Sequence, residues 1–317
     1  MQVAVVGCGY WGQNHARTLA ELGALAAVVD PNPDAAAREA AKNGVASKTW
    51  AEVLADPAIT AVSIAAPAEL HAPLALEAIA AGKDALVEKP ISLSIEDGVR
   101  LQRAAEAASR ILMVGHVLLY NPSFEALLGL IAEGRLGALS YAHSNRLSMG
   151  KFRLEENVLW SFAVHDVSML LALFGGTPSE VRCTGRAYVT PGVQDEVQLE
   201  ILFPGGGHGH VFASWLHPFK EHRLVVVGDK ASAVLDDGKK TLILYPYALK
   251  AGAGAGAPLP EKGEEVVVDF PADLPLTREL EHFLDCCRTR SQPRSDAGEA
   301  LRVLRVLSDA QKALDAG

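Results

Sequence analysis

The segment Gly7-Cys8-Gly9-Tyr10-Trp11-Gly12 limits what this chain can fold into more tightly than any other. It follows the apolar run Val3-Ala4-Val5-Val6 directly and leads into a helical pattern, and Asp30 closes the next apolar run. A strand, a GxGxxG turn, a helix and a strand-end acid are the parts of a dinucleotide-binding βαβ unit. In such a unit Gly7 permits the tight turn, Gly9 lets backbone approach a pyrophosphate, and Gly12 lets the helix pack closely. The helix N-terminus, where Tyr10 and Trp11 stand, offers unpaired N–H groups and partial positive charge to a phosphate. Asp30 can accept both ribose hydroxyls, whereas a 2′-phosphate would meet a carboxylate followed by Pro31, Asn32 and Pro33 with no arginine. NAD is therefore expected rather than NADP. S-adenosylmethionine enzymes also use a glycine turn and a strand-end acid, so the turn alone leaves the nucleotide open.

The rest of the N-terminal half repeats the same alternation. Strands are expected at 3–6, 24–29, 61–64, 85–87 and 112–114, with helices at 11–22, 34–42, 69–81 and 95–109. Apolar runs without alternation suit strands buried on both faces, hence a parallel sheet covered by helices on each side. Thr49 with Glu52 reads as a capping box, and Ser94 with Asp97 as another helix start. Beyond Tyr120 the pattern changes. A helix at 122–133, a strand at 139–146 and an apolar helix at 164–174 precede strands at 180–188, 196–203, 209–216, 222–227, 231–235 and 242–245. These alternate and are joined by Gly-rich or Asp-Gly turns, which predicts an open, mostly antiparallel sheet with helices on one face. The expected fold is thus α/β: a Rossmann NAD-binding domain over 1–120 and an α+β substrate-binding and oligomerisation domain over 121–317. Residues 251–260 read as a flexible surface loop, and helices are expected at 276–289 and 296–316. An uncovered sheet face invites self-association, so a homodimer or homotetramer is expected.

Composition removes several classes of function. A chain of 317 residues has length for about two cores. With 49% hydrophobic and 21% charged residues it is not a disordered chain. Its net charge of −9, without a basic stripe, argues against a nucleic-acid partner. Apolar runs are broken by Gly, Pro or charge before the roughly 20 residues of a membrane span. Met1 leads into Gln2 and Val3 without a basic leader, and Cys8, Cys183, Cys286 and Cys287 form no CxxC pair. No membrane partner and a reduced, cytoplasmic chain are the expectation.

Ala65-Ala66-Pro67, His71, Gly82-Lys83 and Glu88-Lys89-Pro90 fall at the ends of the third and fourth expected strands, where a doubly wound sheet holds its ligands. An isolated lysine at a strand end is ordinarily a solvated turn residue. Together with the glycine fingerprint, however, the segments AAPAELHAPLALEAIAAGKDALVEKPIS and VGHVLLYNP resemble the Gfo/Idh/MocA family of sugar oxidoreductases, and the similarity spans essentially the whole chain. The resemblance implies that Lys89 touches the substrate oxygen and the nicotinamide ribose, that Glu88 lines the nicotinamide side, and that Ala66, Pro67 and His71 belong to the cofactor site. The family's catalytic histidine matches His165 in Trp160-Ser161-Phe162-Ala163-Val164-His165-Asp166. Many members carry an aspartate one helical turn before that histidine. Here the position is Ser161, and Asp166 lies on another helix face, so Lys89 and His165 are expected to act as a pair without an aspartate relay.

The implied chemistry is alcohol oxidation or its reverse, in which a base takes the hydroxyl proton while hydride leaves carbon for the nicotinamide. An unperturbed histidine titrates near 6.5, which suits His165 as base, whereas a lysine near 10.4 suits Lys89 as electrostatic clamp. Either group can pass the proton. Arg146, Lys151 and Arg153 precede the histidine and suggest an anionic substrate, unless they form a solvated face neutralised by Glu155 and Glu156. The run KFRLEENVLWSFAVHD is similar to the branch that oxidises the C-3 hydroxyl of UDP-N-acetylglucosamine or its uronate. Tyr120, Asn121, Trp160 and Ser161 complete the candidate substrate contacts. A free-sugar or inositol-type polyol dehydrogenase and a non-catalytic NAD sensor remain as alternatives. No metal site is assigned: His208 and His210 share a strand face, but sequence spacing supplies neither a Cys nor a third acidic ligand, so a sheet-face or subunit-contact role is expected.

Overall fold

The computed structural model describes residues 1–150, 152–154, 156–250 and 257–316. In chain order the elements are β1 (Val3–Val6), α1 (Tyr10–Glu21), β2 (Leu25–Val29), α2 (Pro33–Asn43), β3 (Ala46–Ser47), α3 (Trp50–Ala55), β4 (Ala61–Ile64), α4 (His71–Ala80), β5 (Asp84–Glu88), α5 (Ile95–Ala108) and β6 (Leu112–Gly115). There follow α6 (Pro122–Ala132), β7 (Leu139–Met149), α7 (Val164–Phe174), β8 (Glu180–Arg186), β9 (Glu196–Leu202), β10 (His208–Ser214), β11 (Leu216–Gly228), β12 (Ala231–Asp236) and β13 (Thr241–Lys250). The chain ends with β14 (Leu259–Lys262), β15 (Val266–Val267), α8 (Pro275–Thr289) and α9 (Ala297–Ala316).

Two compact units divide the chain: Met1–Tyr120 with Asp273–Leu304, and Asn121–Ala272 with Arg305–Gly317. The first carries a six-stranded parallel sheet in the order β3-β2-β1-β4-β5-β6. Every residue of β1, β4, β5 and β6 is buried, the state that non-alternating apolar strands need. Strand order reverses between β1 and β4, which opens a crevice at their C-terminal ends. Helix starts follow local chemistry. Asn32 caps α2 through the amides of Asp34 and Ala35, Thr49 and Glu52 form the expected capping box, and the Ser94 side chain accepts from the Asp97 amide.

The second unit holds a nine-stranded sheet ordered β14-β13-β12-β11-β7-β10-β9-β8, with β15 on β13. All its pairings are antiparallel except β7 with β10. Val197, Leu199, Ile201, Val211, Ala213, Leu224 and Val226 turn inward, and α6 and α7 pack on the sheet. Alternate residues on the opposite face are half-buried or exposed. No helix of the described residues is long and apolar enough to cross a membrane.

Two expectations change. Leu259 and Pro260 belong to β14, paired with β13, rather than to a flexible loop, because backbone pairing to an edge strand does not require large side chains; residues 251–256 lie outside the described part. The second domain was expected to keep everything after Tyr120, yet 273–304 pack with the first unit. The reason is the apolar face of α8, which buries Leu280, Phe283, Cys286 and Cys287, with α1 and the turn at Val117–Tyr120 among its neighbours. Phe283→Ala should therefore cost about 3–5 kcal/mol of stability, measured as a lower urea midpoint for the transition that also unfolds the NAD-binding unit.

Candidate cofactor and catalytic site

The glycine turn separates its three glycines by role. Gly7 has φ +99°, and a Cβ there would stand 2.6 Å from the Ala65 carbonyl oxygen. A Cβ on Gly12 would stand 1.8 Å from the Gly7 carbonyl oxygen, so this glycine lets α1 approach the turn itself. A Cβ on Gly9 would have nothing within 4 Å, which leaves open space beside the N-terminus of α1 where a pyrophosphate is held in such turns. Asp30 accepts from the Cys8 amide at 2.7 Å and, through its other oxygen, from the Asn32 amide at 2.9 Å. The carboxylate is thus fixed at the mouth of the turn with lone pairs left for ribose hydroxyls. Burial, then the charges of Asp30 and Glu39, push the Cys8 thiol up to about 11, so it is no nucleophile. Tyr10 is exposed at the start of α1, and the ring of Trp11 stands edge-on to His15. Open room at Gly9, a helix N-terminus and an acid without an arginine fit NAD.

Ala66 and Pro67 follow β4 beside this turn. The two ring nitrogens of His71 lie 2.7 Å from the Pro90 carbonyl and 2.8 Å from the Ala66 carbonyl. His71 thus stands between the loop after β4 and the loop after β5, each ring nitrogen facing a backbone carbonyl. At the end of β5, Glu88 is buried and its carboxylate takes hydrogen bonds from His15 Nε2 (3.0 Å) and the Lys89 amide (3.1 Å). His15 Nδ1 is in turn 2.7 Å from the Ser63 hydroxyl. Burial pushes the Glu88 carboxyl upward, but the hydrogen bond and charge of His15, with Lys89, outweigh it and hold the group below its ordinary value. Gly115 makes room, since a Cβ there would lie 3.1 Å from the Glu88 carboxyl. Glu279 of α8 is fully buried, and neither carboxyl oxygen has a hydrogen-bond partner among the described residues. Burial, then repulsion from Glu88, raises its carboxyl well above the ordinary value. Lys89, half-buried, follows Glu88 through a chain turn in which the Lys89–Pro90 peptide is cis.

In the second unit His165 stands half-buried in the first turn of α7, just after a π-helical turn at Leu159–Ala163. Asp166 beside it is fully buried on a different face, as expected. Its carboxylate takes the Arg146 guanidinium at 2.5 and 3.1 Å and the Ser144 hydroxyl at 2.6 Å. Across the β7–β11 ladder from Arg146 stands His222, whose Nε2 is buried without a partner among the described residues. Burial first, then the positive charges of Arg146 and Lys220, lowers His222 to about 4, which leaves it neutral at pH 7. Asp237 lies 4.0 Å from it and is held by Lys240 and Asn121.

Several expected substrate contacts have intramolecular partners in the fold. Arg146 has its fork filled by Asp166 and is not a free anion clamp. Arg153 pairs on the surface with Glu156, and Lys151 lies outside the described residues. Tyr120 is buried in the first unit against Ser295 (2.9 Å) and under the Arg294 guanidinium, with its hydroxyl pushed up by burial. Asn121 caps α6 with its oxygen and gives its amide to Asp237. The Trp160 indole donates to Gln311 at 3.0 Å, and the Ser161 hydroxyl donates to the Asn157 carbonyl at 3.0 Å. Conversely, sequence reasoning missed His15, Ser63, Glu279, His222 and Asp237, which strand order and register bring to their places; no spacing rule pairs residues this far apart in the chain.

The family model described as "Oxidoreductase family, NAD-binding Rossmann fold" matches residues 1–116, and the Gfo/Idh/MocA C-terminal domain model matches residues 124–234. The chain belongs to the Gfo/Idh/MocA oxidoreductase family. It is an NAD-dependent dehydrogenase acting on CH–OH groups. Among relatives of this Gfo/Idh/MocA protein, UDP-N-acetylglucosamine 3-dehydrogenase of Acidithiobacillus ferrooxidans is 28% identical over all of this chain and 98% of its own. The solved structure of that enzyme superposes with a TM-score of 0.89, covering 100% of this chain and 98% of that one. The NAD(+)-dependent scyllo-inositol 2-dehydrogenase of Bacillus subtilis is 26% identical over 92% of this chain and 88% of its own.

Two outcomes follow for this family member. Gly9→Val should leave thermal stability near wild type while weakening NADH binding, whereas Gly12→Ala should lower stability as well, by about 1–3 kcal/mol; fluorescence titration and melting curves separate them. Glu279 binds a proton in the folded chain at pH values where the unfolded chain has lost it, so its contribution to stability falls as pH rises from about 4.3 toward the raised folded value. Glu279→Gln should therefore gain stability relative to wild type as pH rises through that window, in denaturation series between pH 4 and 9.

Proposed function

We propose that this protein oxidises the C-3 carbinol of a UDP-amino sugar of the UDP-N-acetylglucosamine type to the 3-keto nucleotide sugar, with Lys89 and His165 in the chemistry. The observation carrying this reading is the full-length similarity to the Acidithiobacillus ferrooxidans UDP-N-acetylglucosamine 3-dehydrogenase, in sequence and in fold. Bound NAD supplies the acceptor for the hydride that leaves C-3. The half-buried His165 imidazole accepts the hydroxyl proton as the carbon–hydrogen bond gives up its electron pair and the carbonyl forms. The Lys89 ammonium stabilises the negative charge that builds on the oxygen before the carbonyl is complete. Glu88, kept ionised by His15, anchors the Lys89 backbone, and Asp166, gripped by Arg146, fixes the helix turn that bears His165. The uncovered face of the second sheet, which carries Tyr141 and Val225, is the surface through which a homodimer or homotetramer would form.

With Arg146 occupied by Asp166, the anionic-substrate argument rests on similarity rather than on a cationic clamp. That gives weight to a second reading, a free-polyol dehydrogenase, which the Bacillus subtilis relative favours. Incubation with NAD and UDP-N-acetylglucosamine should produce NADH absorbance that UDP inhibits. Lys89→Ala and His165→Ala should each lower turnover by about 10²–10⁴-fold with NAD binding intact. Turnover of inositol but of no UDP-sugar, indifferent to UDP, would replace the first reading by the second, and absence of any turnover would favour an NAD sensor.

A further inference from the structure

Strand pairing in the second unit assembles a cluster that spacing along the chain conceals. His208 and His210 stand two residues apart on β10, on the face opposite Gly209 and Val211. Register places Glu200 of β9 across from His210 on one side and His143 of β7 across from it on the other. One ligand atom from each of Glu200, His208 and His210 lies within 4.8 Å of the others. The carboxylate that sequence spacing did not supply is therefore delivered by the neighbouring strand.

The cluster is poorly explained as a self-satisfied polar patch. His208 Nε2 is buried and has no hydrogen-bond partner among the described residues. The two imidazole rings approach to 4.0 Å between centroids at 44°, and His210 Nδ1 is 3.8 Å from the Glu200 carboxylate, beyond hydrogen-bonding distance. Glu200 is oriented from outside the cluster, since Arg182 reaches its second oxygen at 3.5 Å while also bonding Glu180. Such outer partners accompany metal-bound carboxylates.

We propose that Glu200, His208 and His210 bind a divalent zinc-type cation on the outer face of the second sheet. Two imidazoles and one carboxylate are a borderline-soft donor set, suited to zinc rather than to magnesium or calcium. Their atoms must close by about an ångström to reach tetrahedral spacing, and a fourth position remains for water or for His143, whose ring centroid is 6.3 Å from that of His210. The site is separate from the candidate chemistry: α7, which bears His165, packs on the other face, where a Cβ on Gly209 would stand 2.9 Å from Leu170. Its effect is to cross-link β9 and β10.

The test uses the full-length chain without a histidine tag, stripped with chelator and titrated with zinc chloride against a chromophoric competitor. One equivalent per chain is expected. His208→Ala and His210→Ala should each weaken binding by about 100-fold and Arg182→Ala by about 10-fold, while His217→Ala, whose ring bonds the Phe219 carbonyl, should change nothing. Should a histidine variant fail to fold, the parent chain still answers: zinc should protect His208 and His210, but not His217, from diethyl pyrocarbonate in peptide mass spectra. Absence of zinc uptake, uptake undiminished in the double histidine variant, or equal modification with and without zinc would overturn the proposal.

Discussion

An ionised carboxylate buried at the end of β5 is the constraint on which the first unit's site depends. Glu88 retains its charge away from water only because His15 donates to one oxygen and the Lys89 amide to the other. That requirement fixes more than one residue. His15 must reach across from α1, Ser63 of β4 must hold the far side of its ring, and β6 must offer a glycine where any larger residue would press on the carboxyl. The result fixes the backbone of Lys89 at the C-terminal end of β5, one strand along from the switch point. Because burial of an unpaired charge would cost several kcal/mol, the network holds together as a unit. Burial and the nearby charge of Glu88 push the Glu279 carboxyl the other way, upward.

The second unit solves a similar problem beside His165. Asp166 is fully buried one position along the helix, and its charge is met by a bidentate arginine and a serine hydroxyl, both from β7. The pairing stitches the start of α7, which bears His165, to the middle of the sheet. It also gives Arg146, a basic residue that reads from sequence as a substrate clamp, an internal partner. In both units, then, the residue given a role in chemistry adjoins a buried carboxylate whose partners were chosen by strand order.

Much of the first unit was legible because its signals are local. The glycine turn, the strand-end Asp30, the Thr49 and Ser94 caps and the non-alternating strands depend on neighbours within a few residues, and the structure keeps them within a residue or two of their expected bounds. Lys89 and His165 were singled out only through resemblance, since a lysine after a strand or a histidine on an apolar helix has many innocent readings. Tyr120, Asn121, Arg146, Trp160 and Ser161 were picked as substrate contacts without sight of the intramolecular partners that the fold gives them. Ser295, Asp237 and Gln311 come from distant parts of the chain, whereas Asn157 lies one helical turn before Ser161.

The sequence by itself determined the alternation of elements, the nucleotide-binding turn and the preference for NAD, because each is written in contiguous residues with their own backbone requirements. Tertiary structure alone decided that α8 returns to the first unit, that His15 and Ser63 serve Glu88, that Arg146 serves Asp166, and that Glu200 joins the histidines of β10. Those pairings depend on sheet order and cross-strand register, which bring side chains together from positions whose separation along the chain carries no periodic signal.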